Sequence, residues 1–176
     1  MTITDLSGRW EVCLDESKAD ALPTKYPDRI SLPDSTSNAG LGALNTEMEY
    51  GCLTDLHKFE GFAWFRREVE IIPEMSGKNL TLFLERKTRV YIDGNQIGEY
   101  CSLCTPHRYD LTGLPAGKHE LIIRVDNTDY PTGGGHLTSR DTQTNWNGIV
   151  GRIELQSYSA YPEYVYAIPD PDKKTL

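Results

Sequence analysis

Asn145-Trp146-Asn147-Gly148 sets two amides, an indole and a glycine side by side, just ahead of the apolar-rich run Ile149 to Leu155. An amide both donates and accepts hydrogen bonds, and an indole offers a flat apolar face. Together they suit a ligand whose C–H faces are ringed by hydroxyls, which is the chemistry of a sugar. A structural reading competes with this one: Trp146 as a core plug, and the two asparagines as turn residues at positive φ.

Independent catalysis has no comparable signature. Glu47, Glu49, Asp55 and Asp141 lie in or near long polar segments. No spacing marks any two of them as the opposed carboxylates that glycoside hydrolysis requires, so they read as solvated loop acids. There is no Gly-x-Ser-x-Gly elbow, and His57, His107, His119 and His136 stand in no recognisable triad motif. Gly133 to Gly135 is not followed by the Lys-Ser/Thr of a nucleotide loop. Cys101-Ser-Leu-Cys104 has paired spacing, but no second pair completes a zinc set and no βαβ pattern supports a redox site. Cys13, Cys52, Cys101 and Cys104 are expected as buried or half-buried thiols on a strand and its edge. No metal and no cofactor is expected.

The elements that would carry the amide loop are strands. From Gly61 onward the apolar period is two: Phe65, Arg67, Val69 and Ile71 share one face, with Trp64, Arg66, Glu68 and Glu70 on the other, up to Pro73. Leu80, Leu82 and Leu84 alternate next, then Arg89 to Ile92 runs into Asp93-Gly94, a two-residue hairpin signal, with Ile97 to Tyr100 as the return. Glu120 to Asp126 places Leu121, Ile123 and Val125 inward, and Gly151 to Gln156 is expected as the last strand. Ser17 to Ala21 is the best helix candidate and stops at Pro23, so the class is an all-β sandwich or barrel. Ser31 to Leu56 and Asn127 to Asn147 interrupt the pattern as long polar segments, a length usually tied to function.

Charge narrows the partners. A formal net charge of -8 offers no attraction to a phosphate backbone or an anionic bilayer, and no apolar run approaches a membrane span, so neither nucleic acid nor membrane is an expected partner. The first 15 residues lack the basic start and apolar stretch of a signal peptide. The compartment is left open between a periplasmic or cell-envelope parent and a cytoplasmic one.

Four stretches follow one another: Phe62-Ala63-Trp64-Phe65-Arg66-Arg67-Glu68-Val69, Arg89-Val90-Tyr91-Ile92-Asp93-Gly94, Pro106-His107-Arg108-Tyr109-Asp110-Leu111-Thr112, and Asn145-Trp146-Asn147-Gly148-Ile149-Val150-Gly151-Arg152-Ile153-Glu154-Leu155. In this order they resemble the N-terminal sugar-binding domain of glycoside hydrolase family 2, the group of β-galactosidases, β-glucuronidases and β-mannosidases. The resemblance runs from Leu6-Ser7-Gly8-Arg9-Trp10 to about Tyr158. It implies a jelly-roll β-sandwich of the galactose-binding-like type over residues 1–158. Residues 159–176 are then a linker and the truncated first strand of an immunoglobulin-like domain.

The same resemblance implies carbohydrate as ligand. It also implies two partner domains in the parent chain, the immunoglobulin-like sandwich and a (β/α)8 barrel that carries both catalytic glutamates and hydrolyses terminal β-linked sugars with retention. No catalytic residue is implied within these 176 residues. By position, the segment His136 to Asn147 corresponds to a loop over the barrel mouth, with His136, Asp141, Asn145, Trp146 and Asn147 as its substrate-proximal residues. Two other classes compete. An autonomous carbohydrate-binding module would bind sugar alone, and a purely structural sandwich would bury Trp146 in its core and show an apolar patch where other domains dock.

Overall fold

The computed structural model describes residues 1–46, 56–76, 79–85, 88–102, 105–129, 146–160, 165–169, 172 and 174, with the backbone alone for 79–85. Among them there is no helix. The strands are β1 (Thr2–Asp5), β2 (Gly8–Asp15), β3 (Asp28–Leu32), β4 (Asp34–Ser35), β5 (Ala43–Leu44), β6 (His57–Lys58) and β7 (Phe62–Ile71). They continue as β8 (Asn79–Glu85), β9 (Thr88–Ile92), β10 (Asn95–Tyr100), β11 (Pro106–Asp110), β12 (Gly117–Asp126), β13 (Gly148–Ile149) and β14 (Glu154–Tyr158).

Two antiparallel sheets face each other: a four-stranded one in the order β1-β14-β8-β11, and a six-stranded one in the order β10-β9-β12-β7-β2-β3. Two short ribbons, β13-β4 and β5-β6, sit outside them. The chain is thus an all-β sandwich, as the alternation predicts. Phe65, Val69 and Ile71 of β7, Leu121, Ile123 and Val125 of β12, and Ile153 and Leu155 near the C-terminal strand all point into the shared core with Trp10 and Val12. Arg67 sits on the same face of β7 but reaches the rim, where Nη1 donates to the carbonyls of Leu6 (2.5 Å) and Ser7 (2.9 Å). Burying a large apolar side chain contributes about 1.5–3 kcal/mol, so this layer dominates the stability.

The other face of β7 differs from the expected polar one. Trp64 is fully buried there, with Phe62, Tyr91, Ile122 and Tyr26 around it. Tyr26 comes from the segment between β2 and β3, which folds back over the sheet. Arg124 is buried in the same layer, its guanidinium 4.0 Å above the Phe62 ring and bonded to Asp20 and Glu99. A period-two pattern describes which residues share a face; it does not reveal that a distant loop covers it.

The Asp93-Gly94 hairpin is present, with φ of 49° and 79° at the two turn residues, the type I′ geometry that matches strand twist. Ser17 to Ala21 is not helical. Asp15 instead accepts hydrogen bonds from the Ser17 N–H (2.9 Å) and the Ala19 N–H (2.8 Å), which stabilises a turn. The last strand is shorter and later than the expected Gly151 to Gln156, running Glu154–Tyr158, and Gly148 and Ile149 pair separately with Ser35 and Asp34. That pairing also places strand structure inside the long Ser31 to Leu56 segment.

The open edge between the sheets is closed by the stretch Pro106 to Thr112. Tyr100 of β10 stacks on His107 of β11 with centroids 5.3 Å apart, and Tyr109 donates to the Thr88 carbonyl at 2.6 Å. His107 lies between Thr88 Oγ1 (2.7 Å) and the Ser102 carbonyl (3.1 Å), an arrangement that a neutral imidazole satisfies with one acceptor and one donor nitrogen.

Candidate functional site

Three residues, each one position outside a strand, meet at the loop end of the sandwich. Gly61 precedes β7, Asn127 follows β12 and Asn147 precedes β13. The Gly61 N–H donates to Asn127 Oδ1 at 3.0 Å, and Asn147 Nδ2 donates to the Gly61 carbonyl at 3.1 Å. Asn127 Nδ2 also donates to the Phe59 carbonyl (2.8 Å), and Asn147 Nδ2 to the Val125 carbonyl (3.2 Å). Both asparagine side chains are fully buried. Asn127 and the Asn147 Nδ2 find partners that replace water, each contact contributing about 0.5–1.5 kcal/mol net, while Asn147 Oδ1 has none among the described residues.

The first long segment joins the same knot. The Asn147 carbonyl accepts from the Thr36 N–H (2.8 Å) and from Thr36 Oγ1 (3.3 Å). A Cβ at Gly148 would lie 2.4 Å from the Asp34 carbonyl oxygen, and one at Gly61 2.5 Å from that of Asp15. Glycine is required at both positions because backbone occupies the space.

Trp146 is half-buried, so it is neither the core plug of the structural reading nor a fully presented ring. Asn147 turns inward. Its amide nitrogen donates to two carbonyls and holds the chain, and its φ is not positive, unlike the turn asparagine of the structural reading. Asn145, Asp141 and His136 lie outside the described residues, as do Glu47, Glu49, Asp55, Cys52 and Cys104. Cys13 is half-buried on β2 as expected; Cys101 is exposed just past the end of β10, outside the packed layers, and corrects that expectation. Asn127 and Gly61 were not expected as site residues. The signal for them was positional: a side-chain amide directly after one strand and a glycine directly before another.

A groove of about 610 Å³ opens on the outer face of the six-stranded sheet, where β2 parts from β7. Arg66 Nε (2.6 Å) and Arg29 Nη2 (2.7 Å) share Glu11, Lys118 pairs with Glu68 (2.7 Å), and Arg66 lies 4.2 Å above the Tyr26 ring. Three carboxylates, Glu11, Glu68 and Glu120, face five cations, Arg9, Arg29, Arg66, Arg67 and Lys118, so ion pairs cover only part of a groove that is basic on balance. His119 at its rim bonds Asp93 Oδ2 through Nδ1 (2.6 Å) and the Pro115 carbonyl through Nε2 (3.0 Å). The Asp93 hydrogen bond raises the His119 pKa, and the His119 bond lowers that of Asp93. Burial lowers the pKa of His107. Among the described residues no group of His, Cys, Asp or Glu is arranged to hold a metal.

No family model and no curated protein matches the sequence. Solved structures do. A β-glucuronidase from an uncultured Clostridium sp. superposes with a TM-score of 0.65 at 19% identity, over 89% of this chain and 29% of that one. A β-D-mannosidase from Dictyoglomus thermophilum gives 0.59 at 15% identity, over 90% of this chain and 23% of its own. A GH2 β-galacturonidase from Eisenbergiella tayi gives 0.61 at 19% identity, over 88% and 24%. The chain spans under a third of each of these proteins, and over that span it shares their β-sandwich fold.

Proposed function

We propose that this chain is the non-catalytic N-terminal sandwich of a glycoside hydrolase family 2 enzyme, and that its loop end supplies one wall of a substrate pocket completed by a (β/α)8 barrel. The observation that carries this reading is the pairing of coverages: 89% of this chain against 29% of a β-glucuronidase, at a TM-score of 0.65. A module shared among a glucuronidase, a mannosidase and a galacturonidase fits an architectural part better than one that decides the sugar. The half-buried Trp146 is the described residue suited to meet a sugar ring. A single wall offers few contacts, and association entropy makes its own affinity for a monosaccharide weak.

The test has two arms. The isolated chain is expected to leave 4-nitrophenyl β-glucuronide, β-galactoside and β-mannoside intact, and to give no saturable heat when titrated with the free sugars. In the parent enzyme, Trp146→Ala is expected to raise KM by about tenfold, the loss of roughly 1.4 kcal/mol of binding. Hydrolysis by the isolated chain would overturn the proposal. Saturable binding by the isolated chain, abolished by Trp146→Ala, would replace it with the autonomous binding module.

A further inference from the structure

We infer that Asn127 and Asn147 are positioning residues, a paired clamp on the Gly61 peptide that fixes where Trp146 stands. The segment between them begins and ends on a single residue: one asparagine takes the Gly61 N–H and the other takes its carbonyl. Gly61 is itself tightly packed: a Cβ there would lie 2.5 Å from the Asp15 carbonyl oxygen at the end of β2. Each asparagine then ties in the chain to one side, at Phe59 or at Val125. Thr36 adds the first long segment through the Asn147 carbonyl. Trp146 is the residue next to Asn147, so its backbone is held within one peptide of four hydrogen bonds.

The side chain must be asparagine for a chemical reason. At 127 both functions are used, an acceptor for Gly61 and a donor for Phe59. At 147 the donor meets two carbonyls. Aspartate keeps the shape but loses the donor, and it turns a buried carboxylate against carbonyl oxygens. Glutamine keeps the groups but displaces them by a methylene. The inference gives the pocket-wall reading of Trp146 its mechanical basis, yet it can be tested with no sugar present, so failure of the clamp and failure of that reading are distinguishable.

Acrylamide quenching of tryptophan fluorescence in the intact chain is the experiment. The chain has three tryptophans, and Trp10 and Trp64 are 1% and 0% exposed, so collisional quenching reports Trp146. Asn127→Asp and Asn147→Asp are each expected to raise the quenching constant at least twofold while the far-ultraviolet circular dichroism stays native. Leu155→Ala, a core truncation on β14 that touches none of the clamp's hydrogen bonds, is expected to lower Tm as much without changing it. Should Asn147→Asp not fold, Thr36→Val removes only the 3.3 Å contact to the Asn147 carbonyl and is expected to raise quenching by a smaller factor. Unchanged quenching in the folded clamp variants, or an equal rise in Leu155→Ala, would overturn the inference.

Discussion

His119 and His107 lie on the same sandwich and respond to pH in opposite directions. Both ring nitrogens of His119 face acceptors, a carboxylate and a carbonyl, so the imidazolium is the form the site stabilises. Its folded pKa is raised above the ordinary 6.5, so its stabilisation is complete below that value and is lost as pH climbs through the raised one. Asp93 is half in water, which limits the pair to about 1 kcal/mol. His107 is the reverse case. Its pKa is depressed by burial, so the unfolded chain takes up the proton first and stability falls as pH drops below 6.5 toward the depressed value. Urea midpoints measured from pH 5 to 9 should lose their alkaline decline in Asp93→Asn and their acid decline in His107→Gln. At this scale the sequence was only partly legible. Trp146 and Asn147 are neighbours of similar promise, yet one is half-exposed and the other fully buried, a difference set by Thr36, Gly61 and Val125 from three other parts of the chain.

Among the elements, those with long alternation were readable and those defined by distant partners were not. Strand β12 and the Asp93-Gly94 hairpin follow from local pattern and turn chemistry alone. The two-residue pairing of β13 with β4 depends on Gly148 admitting the Asp34 carbonyl, which no local window contains. Strand β2 carries alternating Trp10, Val12 and Leu14, yet no strand was expected there; Leu6 to Trp10 entered only as the start of the family resemblance. Two glycines separate local from distant causes experimentally. Gly94, at φ 79°, has nothing within 4 Å of where a Cβ would stand, so Gly94→Ala should cost only the left-handed strain, roughly 1–2 kcal/mol. Gly61→Ala adds backbone overlap with Asp15 to an unfavourable φ, and overpacking of that kind adds about 1–3 kcal/mol. Thermal unfolding of the two variants should therefore show the larger loss of Tm at Gly61; equal losses would mean that β2 yields freely at its end.

For the molecule as a whole, the fold was legible and the site only in outline. The sandwich emerges from strand periodicity, and its likeness to glycosidase modules survives at 15–19% identity because packing constrains pattern more than residue type. The chemistry of an amide-rich loop was visible too, but the division of labour within it, between a residue that holds the chain and one that meets solvent, was not. The clamp on Gly61 has a consequence for how such a module changes over generations. The two ends of the 128–146 segment are tied to the sandwich through Asn127 and Asn147, and the entropy of closing a loop grows slowly with its length, about 0.6 kcal/mol per doubling. Lengthening the chain between the two asparagines by a few Gly-Ser residues should therefore change the urea midpoint little, whereas replacing Asn127 and Asn147 together by alanine should lower it sharply. A pair of asparagines thus holds the chain where it leaves and rejoins the sandwich, so the length of what lies between them can drift over generations at small cost to the core beneath.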